Sequence, residues 1–313
     1  MAAPFEGILG HARARRLLSS QMESGRLPHA HLFWGEEGVG KTAVARRLAA
    51  ALLPGARLDA HPDYWEDDRA RSMSIDEVRL LPDHQPDAHR QSLQAFLSYR
   101  PLLAEFRVAL ISNVGRLKDE VQGILLKTLE EPHPGRVIIL TTPSTSPFVV
   151  LPTIVSRCQR VAFQPVPGAE VEAWLVAGGV APDRALELAR HSGGRPGWAL
   201  AAAADPGRLE RRRHWATRLQ EVLGAGVLPA LRLAAELDQA FSAWRATDRT
   251  EEDPLKVALG AWQVELRRRM LAGGEAGPAA RLLELSFETL GHLEQNVSPR
   301  LALECFLLSA RSA

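Results

Sequence analysis

The stretch Gly35-Glu36-Glu37-Gly38-Val39-Gly40-Lys41-Thr42 constrains this 313-residue chain more than any other. It satisfies the pattern G-x-x-x-x-G-K-[ST] at every fixed position. The spelling has a chemical reason. Gly35, Gly38 and Gly40 let the backbone bend into a concavity whose N–H groups face phosphate oxygens. Lys41 reaches the terminal phosphates, Thr42 offers its hydroxyl to magnesium, and the following helix adds the positive end of its dipole. The neighbours agree. Ala30-His31-Leu32-Phe33-Trp34 is a short apolar run of strand type, and residues 41–53 (KTAVARRLAAALL) are strong helix formers halted by Pro54 and Gly55.

The rest of the first half repeats that alternation. Arg107 to Asn113 is an apolar run of strand length. Residues 119–131 place Val121, Leu125 and Leu129 on one helical face, with Pro132 as the stop. Arg136 to Thr142 (RVIILTT) reads as a strand buried on both faces, and Gln159 to Phe163 is a fourth candidate. Strands separated by helices imply a parallel sheet, so the first half is an α/β nucleotide fold. Residues 54–92 are polar and read as a solvated loop with a capped helix start at Ser74. The histidines and aspartates there lack the spacing of a metal site.

Pro165 and Pro167 mark a change of character. The expected division is 1–164 for the nucleotide-binding-like domain, 165–205 for a small helical lid and 206–313 for an all-helical C-terminal domain. In the last, Leu255, Leu259, Trp262 and Leu266 share a face, and Leu301, Cys305 and Leu308 run down another helix after a Ser298-Pro299 start. The arginine triplets 211–213 and 267–269 read as solvated helix surface.

A net charge of +1 argues against coating nucleic acid by bulk charge. The two cysteines, Cys158 and Cys305, make neither a disulfide framework nor a four-ligand zinc site, which points to a reducing cytoplasm. No apolar stretch approaches membrane-spanning length, and the N-terminus lacks a signal-peptide pattern, so no membrane partner is expected.

A hydrolysing phosphate-loop site needs carboxylates at the end of a neighbouring strand, to hold magnesium and to polarise water. After Val108-Ala109-Leu110-Ile111 the chain instead has Ser112-Asn113-Val114-Gly115. Neither side chain is a base near neutral pH, and Asp119-Glu120 fall in the next helix. The residues predict a cradle for ATP or ADP with magnesium, without turnover.

The strings HAHLFWGEEGVGKT, HPDY, LLKTLEEP, ILTTP, SRCQ and NVSPRLALE, in this order over essentially the full length, resemble bacterial clamp-loader subunits, the AAA+ proteins of the DNA polymerase III holoenzyme. The missing acids, the intact SRC string and the length, without a long C-terminal extension, are similar to the delta-prime rather than the motor type. That resemblance implies an AAA+ domain, a helical lid and a C-terminal collar for ring assembly. It implies gamma/tau motor subunits, a delta subunit, a sliding clamp and primed DNA as partners, with DNA held by its backbone.

It also implies residue roles. Arg157 of the SRC string is the arginine finger, acting in trans on a neighbour's ATP, where its guanidinium offsets charge on the transferred phosphoryl group. Gly10 and His11 lie on the adenine side. Thr142, next to Thr141, holds the first sensor position and Arg195 the second. Many relatives bind zinc through cysteines between the loop helix and HPD; this interval has none, so no zinc is expected. The alternative is an ATP-hydrolysing gamma/tau-like motor of the same machine. An unrelated ATPase or kinase leaves SRCQ and NVSPRLALE unexplained.

Overall fold

The computed structural model describes residues 4–55, 57–69, 72–79, 92–131, 133–247, 252–272, 276–295 and 297–310. Pro132 and Asn296, the ends of two strings read above, lie outside them. The described residues form two compact units, one of residues up to Glu170 with Arg195–Gly197, the other of Val171–Gly194 and Trp198 onward.

The first unit is a five-stranded sheet with helices on both faces. Its strands are β1 (Ala30–Trp34), β2 (Tyr64–Asp67), β3 (Arg107–Ile111), β4 (Arg136–Thr142) and β5 (Gln159–Ala162). They lie in the order β2-β3-β4-β1-β5, and every neighbouring pair is parallel. The helices are α1 (Ala12–Glu23), α2 (Lys41–Leu52), α3 (Ile75–Val78), α4 (Leu93–Ser98), α5 (Asp119–Glu130) and α6 (Pro152–Arg157). Alternate residues of one strand enter opposite cores. Val108 and Leu110 meet Leu48 and the rest of the α1/α2 layer, whereas Ala109 and Ile111 meet Val121, Leu125 and Leu129 of α5. A strand wanted by two cores must be apolar throughout, which is why RVALI and RVIILTT show no polar alternation.

The sequence predicts four strands and a solvated loop across 54–92; the structure adds a fifth strand and corrects the loop within the described part of that stretch, residues 56, 70–71 and 80–91 lying outside it. β2 is an edge strand in which Trp65 and Asp67 are buried while Tyr64 and Glu66 are half-buried. An inward aspartate cancels the usual alternation, so the signal is lost. His61 and Asp63 are buried as well. Asp63 accepts from the backbone N–H groups of Leu102, Leu103 and Ala104 and from Arg107 Nε, which satisfies it without solvent. The capping box at Ser74 forms, with Glu77 Oε2 accepting from Ser74 N at 2.7 Å.

Past β5 the chain is helical: α7 (Gly168–Ala177), α8 (Pro182–Ser192), α9 (Pro196–Ala204), α10 (Pro206–Val222), α11 (Val227–Arg245), α12 (Pro254–Ala272), α13 (Ala276–Glu294) and α14 (Pro299–Ala310). The second unit's core has Trp262 stacked on Phe306, ring centres 5.4 Å apart, with Trp262 Nε1 donating to Trp215 O. Leu255, Leu259, Trp262 and Leu266 are all buried, as their spacing predicts.

Two expectations fail in this unit. On α14 the buried residues are Ala302, Leu303, Phe306, Leu307 and Ala310, and Leu301 and Cys305 face solvent. Phe306 carries the larger apolar payload and turns the helix toward its own side. In the 211–213 triplet, Arg212 is buried, its guanidinium 4.1 Å over the Trp198 ring and bonded to His191 O. Among the described residues no helix is long and apolar enough to cross a membrane.

Candidate functional site

Parallel sheets present their ligand sites at the carboxyl ends of their strands. Here that edge carries Gly35 after β1, Ser112-Asn113 after β3 and Thr141-Thr142 ending β4. Register sets the spacing: Trp34 pairs with Thr142, and Gly35 N donates to Thr142 O at 3.3 Å.

The loop then turns on its glycines. Gly35, Gly38 and Gly40 have φ of 145°, 79° and 119°, values that L side chains rarely adopt. At Gly35 there is also no room, because a Cβ would sit 2.2 Å from Phe163 O. Lys41 opens α2 and folds back over the loop, Nζ donating to Gly35 O at 2.5 Å and Glu36 O at 2.8 Å. Burial, partly offset by Glu37 and Glu36, brings its ammonium down to about 8. A buried ammonium whose hydrogen bonds go to neutral carbonyls suits an incoming phosphate. Thr42, half-buried, follows on the first turn of α2.

Four of the predicted residues gather around this loop. His11, itself left-handed at φ 53°, donates from Nε2 to Val39 O at 2.8 Å and packs 4.9 Å from the Phe163 ring. Burial lowers its pKa, against the bond to Val39, so the neutral ring braces the loop from below. Gly10 packs against Val166, where a Cβ would meet Cγ2 at 2.8 Å. Arg195 Nε stands 3.7 Å from Glu36, and Gly197 N donates to Gly38 O at 2.8 Å. Residues Arg195–Gly197 thus meet the phosphate loop through backbone as well as the arginine. Thr142 donates its hydroxyl to Ser144 O at 2.7 Å, while Thr141 Oγ1 accepts from Asn113 N at 2.8 Å.

The end of β3 holds Ser112 Oγ and Asn113 Oδ1, buried oxygens without a hydrogen-bond partner among the described residues. Orphaned oxygens at this edge fit water-mediated contact to a hydrated magnesium, and neither is a base. The carboxylate nearest in register is Asp67, which pairs with Ile111 and whose backbone O accepts from Ser112 N. It is fully buried and bound by Arg69 and Arg116; against burial, which acts to raise it, those guanidinium groups hold its carboxyl below the usual range. Sequence reading passes over Asp67 because its partners are fixed only by the fold. Among the described residues no group of three or more His, Cys, Asp or Glu side chains is arranged to hold a metal ion.

Arg157 is not part of this cluster. It ends α6, 35% exposed, with Nη1 donating to Thr153 O at 3.0 Å and Nη2 2.5 Å from Glu130. Cys158 beside it is buried, which pushes its thiol up to about 12 and makes it a packing residue. No sequence signal links Glu130 to Arg157.

Residues 10–167 match the family described as DNA polymerase III, delta subunit. The delta' subunit of DNA polymerase III from Bacillus subtilis is 32% identical over 187 residues, covering 56% of this chain and 54% of that protein. The tau subunit from the same organism is 29% identical over 176 residues, 51% of this chain and 29% of its own length. The chain thus spans about half or less of the length of these relatives. A gamma subunit-related protein from Thermotoga maritima, of known structure, aligns over 94% of this chain and 98% of its own at 18% identity, with a TM-score of 0.43. The family match takes in half of the chain, which therefore belongs to the DNA polymerase III delta-subunit family, here an α/β domain built on a parallel sheet followed by a helical C-terminal part.

Proposed function

We propose that this chain is a delta-prime-type subunit that does not hydrolyse ATP itself. It completes a clamp-loader ring in the cytoplasm with gamma/tau motor subunits and a delta subunit, supplies Arg157 to a motor's ATP site and helps place a sliding clamp on primed DNA. Residues 1–164, 165–205 and 206–313 would serve as AAA+ domain, lid and collar. The observation that carries this reading is the end of β3. Residues 107–118 contain no Asp or Glu, and Asp67 beside them is spent on two arginines. A loop that holds nucleotide with magnesium but lacks a base binds without turning over.

The intact loop and the tau relatives favour a second reading, a gamma/tau-like motor. Steady-state ATP turnover by the purified chain, with and without primed DNA, separates the two. The expected rate is no higher than that of Lys41→Ala. Robust turnover that Lys41→Ala abolishes would make the protein a motor.

Binding itself has a pH signature set by Lys41. Burial holds its ammonium at about 8 in the free fold. A bound phosphate favours the charged form, so above that pH binding takes up a proton. Affinity for a fluorescent ATP analogue is expected to fall as pH rises from 7.5 to 9.5, by up to about tenfold per unit. The nucleotide-free fold has the opposite trend. The unfolded lysine titrates near about 10.4, so the unfolded state binds more protons in this window and stability rises with pH. Lys41→Met should flatten both profiles; an affinity independent of pH in the parent chain would count against this role for Lys41.

A further inference from the structure

We propose that Glu130 is a positioning residue for Arg157, fixing the guanidinium on the surface of the AAA+ domain before it meets a neighbour's nucleotide. This rests on Arg157 being the finger.

The guanidinium is held from two sides. Nη1 donates to the carbonyl of Thr153, one turn back on its own helix, and Nη2 lies 2.5 Å from a Glu130 oxygen. Arginine presents five N–H donors in a rigid fork, so two partners fix its orientation and leave the rest of the fork for phosphate oxygens. An arginine without such partners spreads over many rotamers and must be ordered on contact.

Glu130 is a poor choice on local grounds. It is the last residue of α5, where the negative end of the helix dipole disfavours a carboxylate, and Glu131 follows it. The pair adds little to the fold either, since its side chains are 35% and 46% exposed and such pairs are weak. What the pair does decide is where the Arg157 guanidinium stands. α6 supplies the other half of the grip: Leu151 and Pro152 start a helix just long enough to put Thr153 four residues before Arg157.

The test is a loader reconstituted from this chain with the motor and delta subunits of the same source. Glu130→Ala is expected to lower ATP turnover at the site that receives Arg157 by about tenfold at saturating ATP, with KM for ATP and ring assembly unchanged. Glu130→Gln, which keeps a hydrogen-bond acceptor, should retain a larger share. Unchanged or faster turnover with Glu130→Ala, in a loader that Arg157→Ala still silences, would overturn the proposal and mark the pair as idle or as a brake. Loss of assembly with Glu130→Ala would overturn it too, because the pair would then be structural. Full turnover with Arg157→Ala would instead refute the finger reading, and the positioning role with it.

Discussion

Replacing Arg157 by alanine is expected to silence one ATP site of a reconstituted clamp loader while leaving nucleotide binding by this chain untouched. The effect follows from charge. In phosphoryl transfer the equatorial oxygens gain negative charge toward the transition state, and an arginine supplied from a neighbour is worth about 10³–10⁵ in rate. Pre-steady-state turnover separates the sites: the burst should lose the amplitude of one site, and clamp loading on primed DNA should fall with it. Arg157→Lys should recover only a small part, because an ammonium lacks the planar fork that meets two oxygens at once. Arg157 ends α6, half-buried, and among the described residues its guanidinium is held by Thr153 and Glu130, so the substitution removes surface contacts rather than core packing. A full burst amplitude with Arg157→Ala would refute the trans role outright.

How much of this was legible beforehand depends on whether an element's reason for existing is local. The phosphate loop was legible because its glycines, lysine and threonine are fixed by a backbone path eight residues long. β1, β3 and β4 were legible because two cores demand unbroken apolar runs. β2 was not, since an inward Asp67 makes sense only once Arg69 and Arg116 are known to meet it. Arg212 shows the same limit, reading as one of three solvated arginines until Trp198 is seen beneath it. Within the site, the sequence marked the positions but not the contacts. Nothing local joins Thr141 to Asn113, Gly197 to Gly38, or Glu130 to Arg157 across 26 intervening positions or more. Long-range polar pairing is the part of a fold that pattern reading leaves blank, because one residue's periodicity carries no information about its partner.

Asp63 is where that blank matters most for stability. Its carboxylate is fully buried and accepts four hydrogen bonds: Leu102 N at 2.8 Å, Leu103 N at 2.7 Å, Ala104 N at 3.1 Å and Arg107 Nε at 3.1 Å. Burial acts to raise the carboxyl pKa, but these donors outweigh it and hold it below the usual range. Arg107, bonded as well to Phe96 O and lying 4.5 Å over the Phe96 ring, is the first residue of β3. Asp63 therefore ties β2, the segment before β3 and β3 itself to one point. Its removal leaves three backbone donors and a buried guanidinium without their acceptor, so Asp63→Ala is expected to cost about 3–5 kcal/mol. Asp63→Asn should recover little, because the amide turns an N–H₂ toward groups that are themselves donors. Denaturant unfolding of the purified chain measures the loss, and amide exchange locates it: Leu102, Leu103 and Ala104 should lose protection first. The parent chain should show the same weakness on acidification. Asp63's pKa is depressed in the fold, so its contribution is complete above the unfolded value of about 3.9 and fades as pH falls through the folded one. A loss under about 1 kcal/mol in Asp63→Ala would mean that the segment from Leu102 to Ala104 is held by something other than this carboxylate.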